Sequence, residues 1–334
     1  MMTKLAPKHI YPLLFTPIYK EVIWGGAMLK THLRRKTPTA KLPIGEAWEI
    51  VDRDGDVSVV ENGPLKGSTL RELLEKYGKN IVGKDFDGGA FPLLVKIIDA
   101  GDRLSLQVHP DAAAAARQSN AEPKTEMWYV IAAKNDARII AGLSRKCTKI
   151  GFLDLLDSPD IEDCLQVFES QPGDAYFINA GTVHAIGEGN LLLEIQQNSD
   201  TTYRLSDWGR VGPGGKPRQL HVKEALDCIN FADRTSPRIS GVTGETEHNR
   251  KFPIVKYCPH FLVDDLRLVE DWRDVTDGKS FHLLTAVNAP VTVGNDEKSV
   301  KIPTGRTCLI PACFGAYHIN VNPDRETTVI KTVL

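Results

Sequence analysis

RLSLQVHP (residues 103–110) is the stretch on which the reading of this chain turns. Successive residues of a β-strand point to opposite faces. Read as a strand, the segment sends Leu104, Leu106 and Val108 one way and Ser105, Gln107 and His109 the other. Buried polar side chains need partners, and a metal ion is one of the few partners that satisfies an amide and an imidazole together. A sheet with one solvated face would give the same alternation, so this segment alone leaves both readings open. KTEMWYVI (124–131) adds Glu126, on the parity of Trp128 and Val130. A carboxylate among such bulky apolar groups is costly unless paired with a charge or bound to metal. PGDAYFINAGTVHAI (172–186) then supplies a tight turn, a strand, a Gly-bearing turn and His184.

Outward from these segments, short runs rich in Val, Ile, Phe and Tyr alternate with turn signals such as Gly25-Gly26, Asp54-Gly55 and Asn62-Gly63. That is the pattern of antiparallel sandwiches and barrels. Helical spacing of Leu70, Leu73, Leu74 and Tyr77 predicts a helix from Thr69 to a stop at Gly78. Shorter helices are predicted over 109–118, 148–158 and 220–229. The polar stretch DRTSPRISGVTGETEHNRK (233–251) lacks apolar periodicity and reads as a linker, followed by a second strand-rich block. The expected domains are therefore 1–235 and 236–334.

The chain has 334 residues, enough for two cores, and 41 basic residues nearly balance 43 acidic ones. That balance argues against nucleic acid as a partner, because phosphate-backbone binding needs a basic excess or stripe. Arg34-Arg35-Lys36 reads as a solvated loop. No run approaches the ~18 apolar residues of a membrane span, and the N-terminal segment lacks a signal-like apolar core. The 6 Cys show no CxxC spacing and are expected as reduced thiols, mostly buried. A cytoplasmic protein with no membrane or nucleic-acid partner is the expectation.

The spacing Gly-x5-Asn-Ala-Gly-x2-His ending at His184 resembles the second motif of the cupin superfamily. Gln107-x-His109, followed after an insertion by Glu126, is similar to the first. Together they make Gln107, His109, Glu126 and His184 the candidate ligands. Two imidazoles, an amide oxygen and a carboxylate suit a catalytic zinc that keeps room for substrate or water. Two His and one carboxylate also suit non-haem iron.

Beyond the cupin motifs, IGEAWEI (44–50), FPLLVKIIDAGDRLSLQVHPD (91–111), KTEMWYV (124–130), GTVHAIG (181–187) and LLLEIQQNSDTTYRLSDWGR (191–210) resemble, in order, the short bacterial type I mannose-6-phosphate isomerases. The resemblance implies a mainly β fold of two cupin (jelly-roll β-barrel) domains with a few short helices. It implies interconversion of mannose 6-phosphate and fructose 6-phosphate through an enediol, with one Zn2+ per chain on the four candidate ligands. By the same resemblance the catalytic arginine is Arg204, assigned to stabilising the enediolate, since a guanidinium keeps its charge throughout. The proton-transfer candidates are Glu194, Asp200 and Lys124. Lys124 stands two residues before Glu126, where a metal's field would depress its pKa. Glu194, Asp200 and Arg204 would share one face if their strand ran unbroken, although Asn198-Ser199-Asp200 interrupts the pattern.

Ser105 and Lys96 are the candidates for substrate phosphate, and Trp24 and Trp48 are either core or substrate wall. In the C-terminal block Gly305-x5-Pro311 echoes the second cupin motif, yet Ala316 stands where its His would be. That block is expected to hold no metal, with His260, His282 and His318 structural, and the protein to be a monomer or weak homodimer. The alternatives are an iron-dependent cupin oxygenase and a non-catalytic sugar-binding cupin.

Overall fold

The computed structural model describes residues 10–212, 214–239 and 247–334, and it is mainly β as expected. It divides into two units, neither continuous in sequence: Tyr19–Ala47 with Lys96–Gly241, and Met1–Ile18 with Trp48–Val95 and Val242–Leu334. The linear division expected at 235/236 differs from this interleaved one. The reason is strand pairing between distant segments: Leu13–Leu14 is the edge strand of a sheet built from the C-terminal block, with Leu13 opposite Leu309. Local patterning cannot reveal a pairing at that separation.

The candidate ligands lie on two sheets. One has five strands in the order Leu165–Glu169, Arg138–Leu143, His184–Ile186, Leu106–Val108 and Tyr203–Ser206. The other starts Arg238–Ile239, Ala175–Ile178, Glu126–Ala133 and Asn190–Gln197, and continues through Leu93–Ala100 and Ile44–Ile50 to Ile18–Glu21. Ile139, Ala141 and Ile186 of the first sheet pack with Trp128, Val130, Tyr176 and Leu192 of the second. Full burial of each large apolar side chain contributes roughly 1.5–3 kcal/mol. The opposite face of the five-stranded sheet, including Leu106, Val108 and Leu205, is covered by Phe152, Ile161 and Ala225 from short helical segments. Leu104 departs from the expected parity: it precedes the strand, which starts at Leu106, and packs with Trp24 and Trp128. Trp24 and Trp48 are both core residues, each buried in an apolar cluster.

The helices form where predicted, with shifted ends. Thr69 caps the helix Leu70–Ile81 in a reciprocal capping box with Glu72. Gly78 does not stop it, because Ile81 one turn on is buried and anchors the last turn. Glycine stands there for space: a Cβ at residue 78 would lie 2.7 Å from the Phe86 ring. The other predicted helices are Ala112–Ala116, capped by Asp111, then Lys149–Leu155 and Val222–Cys228. The stretch expected as a linker contains a short strand, Arg238–Ile239, and the start of another, Arg250–Val255. Residues 240–246 of that stretch lie outside the described residues. No described helix is long and apolar enough to cross a membrane.

The second unit pairs a six-stranded sheet with a four-stranded one around Leu266, Leu284, Val293, Ile310 and Tyr317. His282 is buried there and hydrogen-bonded through Nδ1 to the Tyr317 hydroxyl at 2.6 Å. The same unit buries an ion pair: Arg306 Nε donates to Glu49 Oε2 at 2.8 Å, and the Thr307 amide donates to the same oxygen at 3.2 Å. Removing one partner of a buried pair strands the other charge, at about 3–5 kcal/mol. Glu49→Ala is therefore expected to lower unfolding free energy by about 3 kcal/mol, read as an earlier midpoint in urea, whereas Glu75→Ala on the exposed side of the helix Leu70–Ile81 is expected to leave that midpoint in place.

Candidate metal centre and active site

His184, Gln107 and Arg204 form a row across three neighbouring strands of the five-stranded sheet: His184 is opposite Gln107, and Gln107 is opposite Arg204. Directly paired antiparallel residues project to the same face, so these three side chains emerge together. Glu126 opens the strand Glu126–Ala133 of the other sheet, and Glu194 is the cross-strand partner of Trp128. Lys124 stands two residues before Glu126, its amide held by the Pro110 carbonyl at 3.0 Å. Glu194 and Arg204 therefore lie on different sheets, not on one face of a continuous strand. The break at Asn198-Ser199-Asp200 carries the chain from one sheet to the other.

His109, Glu126 and His184 are buried and offer ligand atoms within 4.8 Å of one another. His109 Nε2 lies 3.4 Å from Glu126 Oε2, and His184 Nε2 lies 3.5 Å from Glu126 Oε1. The far nitrogens decide what faces that carboxylate. His109 Nδ1 donates to the Thr201 carbonyl at 2.9 Å, and His184 Nδ1 to the Thr182 carbonyl at 2.8 Å. A carbonyl can only accept, so in each neutral ring Nε2 carries the lone pair. Burial, reinforced by the nearby Lys124 charge, pushes the His109 pKa down to about 3. Burial likewise lowers that of His184. Burial would raise the carboxyl pKa of Glu126, but Lys124 at 3.0 Å, followed by His109, holds it well below the usual range.

Two lone pairs thus face a carboxylate, and His109 Nε2 has no hydrogen-bond partner among the described residues. Acceptors facing one another across a buried gap fit a cation between them. Gln107 completes the set, with its amide Nε2 at 3.2 Å from His184 Nε2 and its Oε1 accepting from Ser105 Oγ at 3.1 Å. Turning the amide over exchanges its two ends; Oε1 then faces the gap and Ser105 accepts from the NH2 group.

Beside this triad, charges alternate in sign. Glu126 meets Lys124, Lys124 is 3.7 Å from Glu194, Glu194 is 3.4 Å from Lys96, and Lys96 is 3.8 Å from Glu46. Burial raises the Glu194 pKa, with Glu126 adding to the rise and Lys96 and Lys124 opposing it. Burial would lower that of Lys96, yet Glu194 and Glu46 outweigh it and the net shift is upward. Arg204 donates to the Gln219 carbonyl at 2.8 Å, while its Nε is buried without a hydrogen-bond partner among the described residues. Burial, then the Arg218 charge, lowers its pKa. Asp200 is exposed and adds to the negative field at Lys96.

Sequence reasoning missed Glu46 and the two carbonyls that orient the imidazoles. Glu46 was detectable by the logic that found Glu126: a carboxylate inside the apolar run IGEAWEI. The carbonyls carry no side-chain signal at all.

Residues 13–145 match the family model for the type I phosphomannose isomerase catalytic domain. The mannose-6-phosphate isomerase ManA of Bacillus subtilis is 42% identical over 309 residues, covering 92% of this chain and 95% of that protein. A putative mannose-6-phosphate isomerase of the same organism, YvyI, is 33% identical, covering 90% and 93%. The crystal structure of a Bacillus subtilis mannose 6-phosphate isomerase superposes with a TM-score of 0.85 at 31% identity, covering 97% of this chain and 100% of that one. With a buried two-histidine, one-carboxylate centre on a mainly β scaffold, this chain belongs to the type I phosphomannose isomerase family.

Proposed function

We propose that the chain interconverts mannose 6-phosphate and fructose 6-phosphate, with Zn2+ held by Gln107, His109, Glu126 and His184. The observation that carries the metal site is the pair of Nε2 lone pairs facing Glu126, each fixed by an Nδ1 bond to a backbone carbonyl. Family membership supports the reaction. Borderline zinc accepts nitrogen and oxygen donors in this proportion; when bound it supplies a fixed positive charge that polarises a carbonyl.

The protein's own residues do the rest. Isomerisation removes a proton from the carbon beside the carbonyl and returns one to the neighbouring carbon. Glu194 is the first candidate for that transfer, because burial raises its pKa above the ordinary carboxyl value and so makes it a stronger base. Lys124 stands between Glu194 and Glu126 and is the second proton-transfer candidate. Asp200, on an exposed turn, is the third, and its charge acts on Lys96. Arg204 adds a permanent positive charge on the Gln107 face for the developing enediolate. Lys96 sits between Glu46 and Glu194, where an incoming phosphate would meet two carboxylates; it is assigned to holding Glu194. Ser105 keeps the phosphate or hydroxyl-binding role, its hydroxyl already beside the Gln107 amide.

Four outcomes follow from this assignment. The zinc-loaded protein should form fructose 6-phosphate from mannose 6-phosphate, lose that activity to a chelator and regain it with zinc. His184→Ala should bind no stoichiometric metal; an inactive parent that holds its metal would sink the substrate assignment. Arg204→Ala should lower kcat by about 10²–10³-fold with little change in KM, and a rise in KM alone would refute its charge-stabilising role. The fourth concerns pH. His109 has a native pKa of about 3, against an ordinary value of 6.5 in the unfolded chain. The unfolded state therefore binds more protons below pH 6.5, and native stability falls as pH drops through that window. For the metal-free protein the loss is about 2 kcal/mol between pH 6.5 and 5 from His109 alone, and urea midpoints independent of pH across that range would contradict it.

A further inference from the structure

The turn that separates Glu194 from Arg204 is stitched to the segment carrying Lys124 and Glu126 by bonds that touch no substrate. Gln197 grips Thr125 twice: its side-chain Oε1 accepts from the Thr125 amide at 2.9 Å, and its own amide donates to the Thr125 carbonyl at 3.1 Å. Thr125 is the buried residue between Lys124 and Glu126. Ser199 Oγ donates to the Glu122 carbonyl at 3.1 Å and accepts from the Thr201 amide at 3.2 Å. Thr201 Oγ1 in turn accepts from the Glu122 amide at 2.9 Å. The carbonyl of Thr201 is the acceptor that fixes His109. One clamp therefore sets both Glu126, through the backbone of Thr125, and the ring of His109, through the carbonyl of Thr201.

We infer that Gln197 is a positioning residue of the metal centre, acting through Thr125 on Glu126 and Lys124; the inference rests on the metal-site reading above. A second bond on the far side of a ligand fixes its direction and basicity, and losing one costs about 10–100-fold in metal affinity or activity. The side-chain oxygen of Gln197 is the only part of it that the Thr125 amide needs. Glutamate keeps an oxygen acceptor in the same place, whereas methionine, of similar length, does not.

The test uses the full-length protein loaded with Zn2+, competed against a chromophoric chelator, with kcat and KM for mannose 6-phosphate measured in parallel. Gln197→Met is expected to weaken Zn2+ binding by about 10–100-fold and to lower kcat of the zinc-saturated protein with KM near the parent value. Gln197→Glu is expected to restore most of both. Ser199→Ala, which leaves Gln197 in place but frees the Thr201 segment, is expected to weaken Zn2+ binding in the same direction and serves if Gln197→Met does not fold. If Gln197→Met matches the parent in zinc affinity and kcat while melting earlier, the residue is structural and the inference is overturned. If the parent turns over no mannose 6-phosphate, the proposed reaction fails and chelator competition alone decides the role of Gln197.

Discussion

The constraint on which this site depends is the direction of two buried protons. His109 and His184 each spend their one N–H on a main-chain carbonyl, at Thr201 and Thr182, which turns both lone pairs toward Glu126. A backbone acceptor is a stringent way to choose a tautomer, since it cannot donate and cannot rotate away. Burial strengthens the choice, because it lowers the pKa of both rings and so favours their neutral forms. Without an ion, two lone pairs and a carboxylate would crowd one dry pocket at the cost of desolvation. With one, the same three groups become complementary.

Around that pocket the electrostatics are graded by alternation. Glu46, Lys96, Glu194, Lys124 and Glu126 follow one another at 3.8, 3.4, 3.7 and 3.0 Å, each cation lying between two carboxylates. Isolated buried charges are costly, and alternating ones offset much of that cost. Position in the series then sets the character of each group. Glu126 has Lys124 and two imidazoles for neighbours and stays ionised. Glu194 shares its lysines with other carboxylates and is the one whose pKa rises. Two carboxylates on one scaffold thus have their pKa values pushed in opposite directions.

Much of this was legible in the chain. The parity of Gln107 with His109, the misfit of Glu126 beside Trp128, and the turn before His184 are local patterns, and the structure brings those residues together. The fold class followed from the same alternation. What escaped was non-local or carried by the main chain. The pairing of Leu13 with Leu309 put the N-terminal strand in the C-terminal sheet and divided the chain differently from the expected linear cut. Gly78, an apparent helix stop, answers to the Phe86 ring from a later loop. The Thr201 and Thr182 carbonyls belong to residues whose side chains give no hint of the role.

The placement of Glu194 and Arg204 shows why parity has limited reach. Ten positions apart, they would be counted on one face of an uninterrupted strand. The chain instead leaves one sheet at Gln197, turns, and enters the other at Tyr203, so that cross-strand partners rather than periodicity decide where each side chain points. Glu194 faces with Trp128, and Arg204 with Gln107. The register also shifts between Arg204 and Ser206, a bulge beside the site of the kind that re-aims a side chain. A straight strand could offer both residues only along one line. Crossing from sheet to sheet lets a single short segment set a buried carboxylate, Glu194, on one wall and a guanidinium, Arg204, on the other, and the polar Asn198-Ser199-Asp200 turn that spoils the alternation is what makes the crossing possible.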